Sequence, residues 1–430
     1  MKICVVGTGY VGLVTGICLA QVGHKVMCID TNIEKVKMLN KGKSPIYEPK
    51  LDRLLKKNIK EKSLFFRTHI KDGLDFSDVI FVAVGTPSKN SGEADLSSVE
   101  KVCIRIAEFM TKYKVIVSKS TVPVETGQKI VDTINLYNKK NIKFDVVSNP
   151  EFLREGSAVY DFMHPDRIVI GVNTDRAKKI MKEVYKKIKA LIIFTDVASA
   201  ELIKHASNSF LSMKISYINA LSQICEKTGA DVRKVAEGMG FDKRIGRDFL
   251  DAGIGFGGSC FPKDLSAFIS IAKEEGYNFE LLKVVRKINE DQKKYFVKKL
   301  KEVLWNFNDK VISVLGLSFK PNTDDMRQAP SIDIINMLLK EGAIIKVYDP
   351  AAMDNAKKIF GSHVIYGKNP YDIMKKSNAL LILTDWQEFL NLDFGKIKKL
   401  LYNPVIFDGR NCLNIEKMRK LGFVYRGVGC

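Results

Sequence analysis

Residues 2–12 confine the start of this chain to one kind of local structure. Residues 2–6 form a short apolar run, and Gly7-Thr8-Gly9-Tyr10-Val11-Gly12 follows it and opens a helical stretch. The glycines answer three steric demands. Gly7 permits a tight turn, Gly9 lets backbone approach a pyrophosphate, and Gly12 allows close packing of helix on strand. The helix N-terminus then directs N–H groups and the positive end of its dipole at the phosphates. This spacing alone is weak, but a second strand, 25–29, ends against Asp30, 18 residues after Gly12. A carboxylate there accepts hydrogen bonds from ribose hydroxyls and repels a 2′-phosphate, so NAD is expected over NADP. Lys35 sets a cation nearby that could tolerate a phosphate.

The strand–helix rhythm continues. Further strands are expected at 79–84, 115–118, 145–148 and 168–171, and again at 311–315, 344–348, 380–384 and 405–407. Such alternation argues for parallel sheets wrapped by helices. Residues 198–227 lack Pro and Gly and keep helical periodicity, so one long helix is expected there. The expected fold is α/β: two Rossmann-like, doubly wound parallel-sheet domains joined by a helical middle domain with a long central helix. Boundaries are expected at 1–200, 201–305 and 306–430.

Composition excludes several classes. Hydrophobic residues at 46% and charged residues at 27% provide for a packed core and exclude disorder. A net charge of +20 suggests an anionic partner. It is spread evenly, however, and only 14 of the 69 basic residues are Arg, which argues against a nucleic-acid reader. Lys2 followed by an apolar stretch reaching Val22 has the outline of a secretory signal, but Gly7, Gly9, Gly12 and Gly16 interrupt it. With no run of 18 apolar residues, no membrane span is expected. The eight cysteines lack C-x-x-C spacing and the five histidines cluster with none of them, so no metal is expected, and a reducing cytoplasm fits.

Three segments carry chemistry. Residues 253–264 read Gly-Ile-Gly-Phe-Gly-Gly-Ser-Cys-Phe-Pro-Lys-Asp. Pro262 suits the first turn of a helix, which puts the Cys260 thiol at the helix N-terminus beside Lys263, where its pKa should fall. A lone cysteine is as often a small buried hydrophobe; the glycines, Pro262, Lys263 and Asp264 favour a nucleophile. Gly257 and Gly258 are expected to clear space for a substrate. Lys204 and Asn208, four apart on the long helix, share a face that suits either oxyanion stabilisation or plain solvation. Asn149-Pro150-Glu151-Phe152-Leu153-Arg154-Glu155-Gly156 follows a strand, where open α/β sheets place ligands. Its two glutamates are either ordinary loop charges or include a general base.

These motifs recur together with Gly85-Thr86-Pro87, KSTVPVETG at 119–127, Phe319-Lys320-Pro321-Asn322-Thr323-Asp324-Asp325-Met326-Arg327 and Asp408-Gly409-Arg410-Asn411. In this order and at these intervals the chain resembles the UDP-glucose/GDP-mannose dehydrogenase family over essentially its whole length. The resemblance implies a four-electron oxidation of a sugar-nucleotide primary alcohol, through aldehyde and thioester to the acid, with two NAD reduced. UDP-glucose is the substrate it implies first. GDP-mannose or a UDP-N-acetylhexosamine is the alternative, and a two-electron hydroxy-acid dehydrogenase is a more distant one.

By the same resemblance Cys260 is the nucleophile. Lys204 and Asn208 stabilise oxyanions, with Lys204 also in proton transfer. Asp264 orients or deprotonates a water, Glu151 is base in thioester hydrolysis, and Thr121 helps place water and cofactor. Cofactor contacts fall on Gly7, Gly9, Tyr10, Val11, Gly12 and Asp30. Lys35, Thr86, Thr121, Glu155, Lys263 and Arg327 complete that set. Sugar-nucleotide contacts fall on Glu151, Phe152, Leu153, Arg154, Glu155, Lys204 and Asn208. Phe249, Leu250, Asp251, Ala252, Gly253, Gly257, Lys320 and Arg410 belong with them. Arg244 matches an arginine that relatives contribute across a subunit boundary, and a homodimer or higher homo-oligomer built on the middle region is implied.

Overall fold

The computed structural model describes residues 1–89 and 92–430. The chain divides into two compact units, residues 1–207 with 266–277, and residues 208–265 with 278–430.

The first unit holds eight strands: β1 Lys2–Val6, β2 Lys25–Ile29, β3 Leu64–Arg67, β4 Val79–Val82, β5 Lys114–Ser118, β6 Phe144–Ser148, β7 Arg167–Val172 and β8 Leu191–Thr195. They lie in the order β3-β2-β1-β4-β5-β6-β7-β8. The first six strands have the dinucleotide-fold order, with the reversal between β1 and β4. Alternate residues of β1 show the double winding: Ile3 and Val5 pack into the core on one face of the sheet, Cys4 and Val6 into the core on the other.

One junction departs from the all-parallel expectation. β7 runs antiparallel to β6, pairing Val147 with Val172 and Ser148 with Gly171, and β8 is parallel to β7. The connection from β6 to β7 holds only the helix Ala158–Met163.

The second unit repeats the plan. β9 Val311–Leu315, β10 Ile344–Tyr348, β11 Ile365–Tyr366, β12 Ala379–Ile382, β13 Val405–Asp408 and β14 Val424–Arg426 lie in the order β11-β10-β9-β12-β13-β14, all parallel. Counted within the sheet, this is the same order as the first six strands of the first unit.

The long helix spans Val197–Thr228, within a residue of its expected ends. Past Asn208 its inward face carries Ser212, Ser216, Asn219 and Ser222, all buried. Small side chains let the helix Glu280–Leu304 approach, and Ser216 Oγ donates to the Val285 carbonyl at 2.9 Å. Among the described residues no helix is long and apolar enough to cross a membrane.

Candidate functional site

In the first unit, the candidate side chains cluster at the carboxyl ends of β1, β2, β4, β5 and β6, as expected for an open α/β sheet. Gly7 leaves β1 at φ +97°, and a Cβ there would lie 2.6 Å from the Ala83 carbonyl oxygen. A Cβ on Gly12 would lie 2.0 Å from the Gly7 oxygen. The protein's own packing therefore requires both glycines. Gly9 differs: a Cβ there would meet nothing within 4 Å. It sits at the N-cap of the helix Tyr10–Gln21, whose first turn carries no acidic side chain. A bare backbone cradle at a helix N-terminus fits a pyrophosphate.

Asp30 follows β2. Its Oδ2 accepts from the Thr8 N–H at 3.0 Å, the Thr8 hydroxyl at 2.6 Å and Lys35 Nζ at 3.0 Å. Burial works against its charge, but hydrogen bonds from Thr8, Asn32 and Lys35 outweigh that and hold the carboxyl below its usual range. Lys35 is thus committed to Asp30, and the pair presents an ionised carboxylate to a ribose. These residues fit NAD.

Neighbouring strand exits are stitched together. The Thr86 hydroxyl donates to the Thr121 carbonyl at 2.9 Å, and Ser120 Oγ to the Val84 carbonyl at 2.7 Å. From the long helix, His205 Nε2 lies 2.8 Å from the Val122 carbonyl, so that nitrogen carries the proton, and Glu201 Oε1 accepts from the Gly127 N–H at 2.8 Å. Two helix side chains one turn apart therefore grip the Thr121 loop. The Tyr10 hydroxyl donates to Glu48, and the Gly156 N–H donates to Glu48 at 2.7 Å. Glu48 thereby ties Tyr10 to the 149–156 segment.

Glu151 and Lys204 form an ion pair at 3.1 Å, both about 4% exposed. This removes two open alternatives: Lys204 and Asn208 do not line a solvated face, and Glu151 is no ordinary loop charge. Glu151 Oε2 accepts from the Leu153 N–H at 2.6 Å. Lys204 Nζ lies 5.3 Å from the centre of the Phe152 ring, and the Arg167 guanidinium 4.2 Å from it. Arg154 makes a two-pronged contact with Asp161, Nη2 at 2.7 Å and Nε at 3.0 Å, while Glu155 is buried.

The second unit carries the thiol. Cys260 directly precedes the helix Phe261–Glu274 and caps it, its carbonyl accepting from the Asp264 N–H at 2.8 Å. Its sulfur lies 3.6 Å from Ser259 Oγ. Cys260 is half-buried, whereas Cys4, Cys18, Cys28, Cys103 and Cys225 are fully buried. For Cys4, Cys18 and Cys103, burial pushes the thiol up to about 12. One turn on, buried Asp264 accepts from Asn208 Nδ2 at 2.6 Å and from Lys263 Nζ at 2.6 Å.

The neighbouring glycines are required by the chain's own packing. A Cβ on Gly257 would lie 2.3 Å from the Gln328 carbonyl oxygen, and one on Gly258, at φ +85°, 2.8 Å from the Phe319 ring. Gly253 likewise packs on the Gly409 carbonyl. Arg410 collects three carbonyls: Leu383 at 2.9 Å, Phe319 at 3.1 Å and Gly255 at 3.2 Å. It thereby ties the glycine segment to the segment carrying Lys320.

Other residues expected to touch the sugar nucleotide are placed unevenly. Leu250 and Ala252 send their side chains into the core, which leaves them backbone contacts only. Phe249 has φ +65°, and Asp251 is exposed and paired with Arg247. Arg327 pairs with Asp325 at 2.6 Å, and Arg244, largely exposed, pairs with Asp242 at 2.6 Å. Sequence reasoning missed Glu48, Lys119, Tyr185, Glu201 and His205. Lys119 stands inside the quoted KSTVPVETG run and was within reach; Tyr185 carries no local signal. Among the described residues no group of three His, Cys, Asp or Glu side chains could hold a metal ion.

Three family models match the chain in order. They describe the NAD binding domain (residues 1–189), the central domain (198–291) and the UDP binding domain (313–415) of the UDP-glucose/GDP-mannose dehydrogenase family. A UDP-glucose 6-dehydrogenase of Bacillus subtilis is 49% identical, covering 100% of this chain and 93% of its own length. One from Rhizobium meliloti is 43% identical, covering 100% and 99%. The solved UDP-glucose dehydrogenase of Pyrobaculum islandicum superposes with a TM-score of 0.93 at 38% identity, covering 100% of this chain and 97% of that one. The UDP-D-ManNAc dehydrogenase of Pyrococcus horikoshii gives 0.88 at 27%, covering 100% and 99%. With all three models matched in sequence order and relatives aligned end to end, the chain belongs to the UDP-glucose/GDP-mannose dehydrogenase family.

Proposed function

We propose that this chain is an NAD-dependent UDP-glucose 6-dehydrogenase, converting UDP-glucose to UDP-glucuronate in two successive oxidations. Buried Asp264, one turn beyond the Cys260 thiol and holding both Asn208 and Lys263 at 2.6 Å, is the observation that carries this reading. A dehydrogenase that stops at the aldehyde needs no thiol beside a fixed carboxylate. NAD, when bound, accepts a hydride at each oxidation.

The chain's own residues supply the rest. Gly9 and the following helix N-terminus bind the pyrophosphate, and Asp30 binds the ribose. Cys260 adds to the aldehyde carbon and holds it covalently until the second oxidation makes a thioester. Lys204 and Asn208, one turn apart on the long helix, stabilise the oxyanions. Asp264 orients a water, Glu151 takes its proton, and attack on the thioester releases the acid and restores the thiol. Arg410 and Lys320 belong to the sugar-nucleotide contacts. UDP-glucose is favoured over a UDP-N-acetylhexosamine because relatives named for it are 40–49% identical, against 27% for the solved UDP-D-ManNAc dehydrogenase.

Counting NADH tests the reading. Purified protein offered UDP-glucose, GDP-mannose and a UDP-N-acetylhexosamine should respond fastest to UDP-glucose and yield two NADH per sugar consumed. No NADH from UDP-glucose overturns the substrate, and one NADH per sugar overturns the thioester route.

Residues 1–200 serve the cofactor, 201–305 dimerisation and 306–430 the UDP-sugar in this reading, and the scattered thiols suit a reducing cytoplasm. The dimer rests on Phe210, Tyr217 and Ile224. They are 54–58% exposed and recur every seven residues on one face of the long helix. Aspartate at both Phe210 and Tyr217 should reduce the mass measured by light scattering to that of the 48.4 kDa chain. An unchanged dimer would remove this face from the interface.

A further inference from the structure

The glycine segment that leads to Cys260 is held by three buried carboxamides that no step above uses. Asn219 lies on the long helix, and Asn289 and Gln292 lie on one face of the helix Glu280–Leu304. They are 0%, 4% and 1% exposed. Asn219 Oδ1 accepts from the Gly253 N–H at 2.8 Å, and Gln292 Nε2 donates to the Gly253 carbonyl at 3.0 Å. Asn289 clamps Phe256 with a single side chain. Its Oδ1 accepts from the Phe256 N–H at 2.8 Å, and its Nδ2 donates to the Phe256 carbonyl at 3.1 Å.

Residues 253–258 form neither helix nor strand, so their buried backbone groups need partners from other elements. A carboxamide offers a donor and an acceptor on one planar group, as a peptide does, and can stand in for a paired strand. Gly255, at φ +105°, shows how close the fit is: a Cβ there would lie 2.7 Å from Asn289 Oδ1. From Phe256 the contact passes on toward the thiol. Its ring meets that of Phe261 edge to face, centroids 5.9 Å apart, and Phe261 is the first residue of the helix that Cys260 caps. Gly253 stands at the other end of the segment, among the residues counted as sugar-nucleotide contacts. One clamp therefore holds the end that binds, and the other the end that reacts.

We propose that these three carboxamides are positioning residues that divide the work. Asn219 and Gln292 hold the Gly253 backbone for the sugar nucleotide, and Asn289 holds Phe256 and, through it, the Cys260 thiol. This rests on the roles given to Gly253 and Cys260 under Proposed function. All three act through the backbone that they hold. Without its clamp a buried N–H or carbonyl is left unpaired, and the segment shifts to satisfy it. A displacement of about 1 Å at a reacting atom can cost about 10²-fold in rate.

The test is the split between kcat and KM for UDP-glucose, with urea unfolding beside it, in Gln292→Met, Asn289→Leu and the milder Asn289→Ser. Lys293→Met is the control. It breaks the ion pairs of Lys293 with Glu290 and Asp333 on the same helix and touches neither clamp. Gln292→Met should raise KM about tenfold and leave kcat within about threefold of wild type. Asn289→Leu should do the reverse, lowering kcat about tenfold or more with KM within about twofold, and Asn289→Ser should lower kcat about threefold. Lys293→Met should lose stability and keep both constants within about twofold. Losses that track urea stability across all four variants, with no difference in the split, would make the carboxamides part of the fold alone and overturn the proposal. So would a wild-type kcat in Asn289→Ser, or failure of both Asn289 variants to fold. Wild-type protein that produces no NADH from UDP-glucose refutes the substrate assignment instead. The same split is then read with GDP-mannose or a UDP-N-acetylhexosamine, whichever yields NADH, so the two failures are told apart.

Discussion

Replacing Cys260 with serine should cut UDP-glucuronate formation by about 10³-fold or more while leaving NAD affinity within about twofold of wild type. The asymmetry follows from where the parts lie. Gly7, Gly9, Gly12 and Asp30 belong to the first unit, and Cys260 belongs to the second. The exchange is nearly isosteric at a half-buried position, so folding should be little affected. A hydroxyl at the same helix N-terminus remains protonated near neutrality, and an ester passes its acyl group to water less readily than a thioester does. Chromatographic measurement of the uronate, with a fluorescence titration of NADH, checks both halves. Uronate formed at the wild-type rate would remove Cys260 from the mechanism.

Lys204→Met should lower kcat by about 10²- to 10³-fold, the usual consequence of removing a preorganised oxyanion stabiliser. It should also lower stability, because Glu151 loses its partner at 3.1 Å while staying buried. Breaking a buried pair commonly costs about 3–5 kcal/mol, and a loss of that order is expected here. Adding Glu151→Gln removes the stranded charge. The double variant should recover much of the stability and none of the activity. Urea unfolding beside initial rates separates these effects. Activity that returned together with stability would make Lys204 a structural residue.

Central strands were legible in the sequence, and edge strands were not. β1, β2, β4, β5, β6, β7, β9, β10, β12 and β13 appear within a residue or two of where apolar runs put them. The four overlooked strands are β3, β8, β11 and β14, which are the four edges of the two sheets. A central parallel strand is covered on both faces and flanked on both sides, so its sequence is a continuous apolar run. An edge strand pairs on one side only and can be short or half-exposed, as with the two residues of β11 or the partly exposed Leu191–Thr195. The antiparallel turn from β6 to β7 was hidden for a related reason. Direction depends on how the connection packs, and residue periodicity is the same in either sense.

The candidate site divides along the same line. Local sequence determined the glycine turn after β1, the carboxylate after β2, the helix cap at Cys260 and the shared face of Lys204 and Asn208. Each depends on residues within a few turns of one another, whose geometry is set by backbone sterics and helical periodicity. Only the tertiary structure decided which charges meet. Lys119, Glu151, Tyr185 and Lys204 come from four separate elements, and each reads in isolation as a surface residue. Packing buries Glu151 and Lys204 as an ion pair and sets Lys119 and Tyr185 on one Asn149 oxygen, because a polar group removed from water depends on the few neighbours that remain.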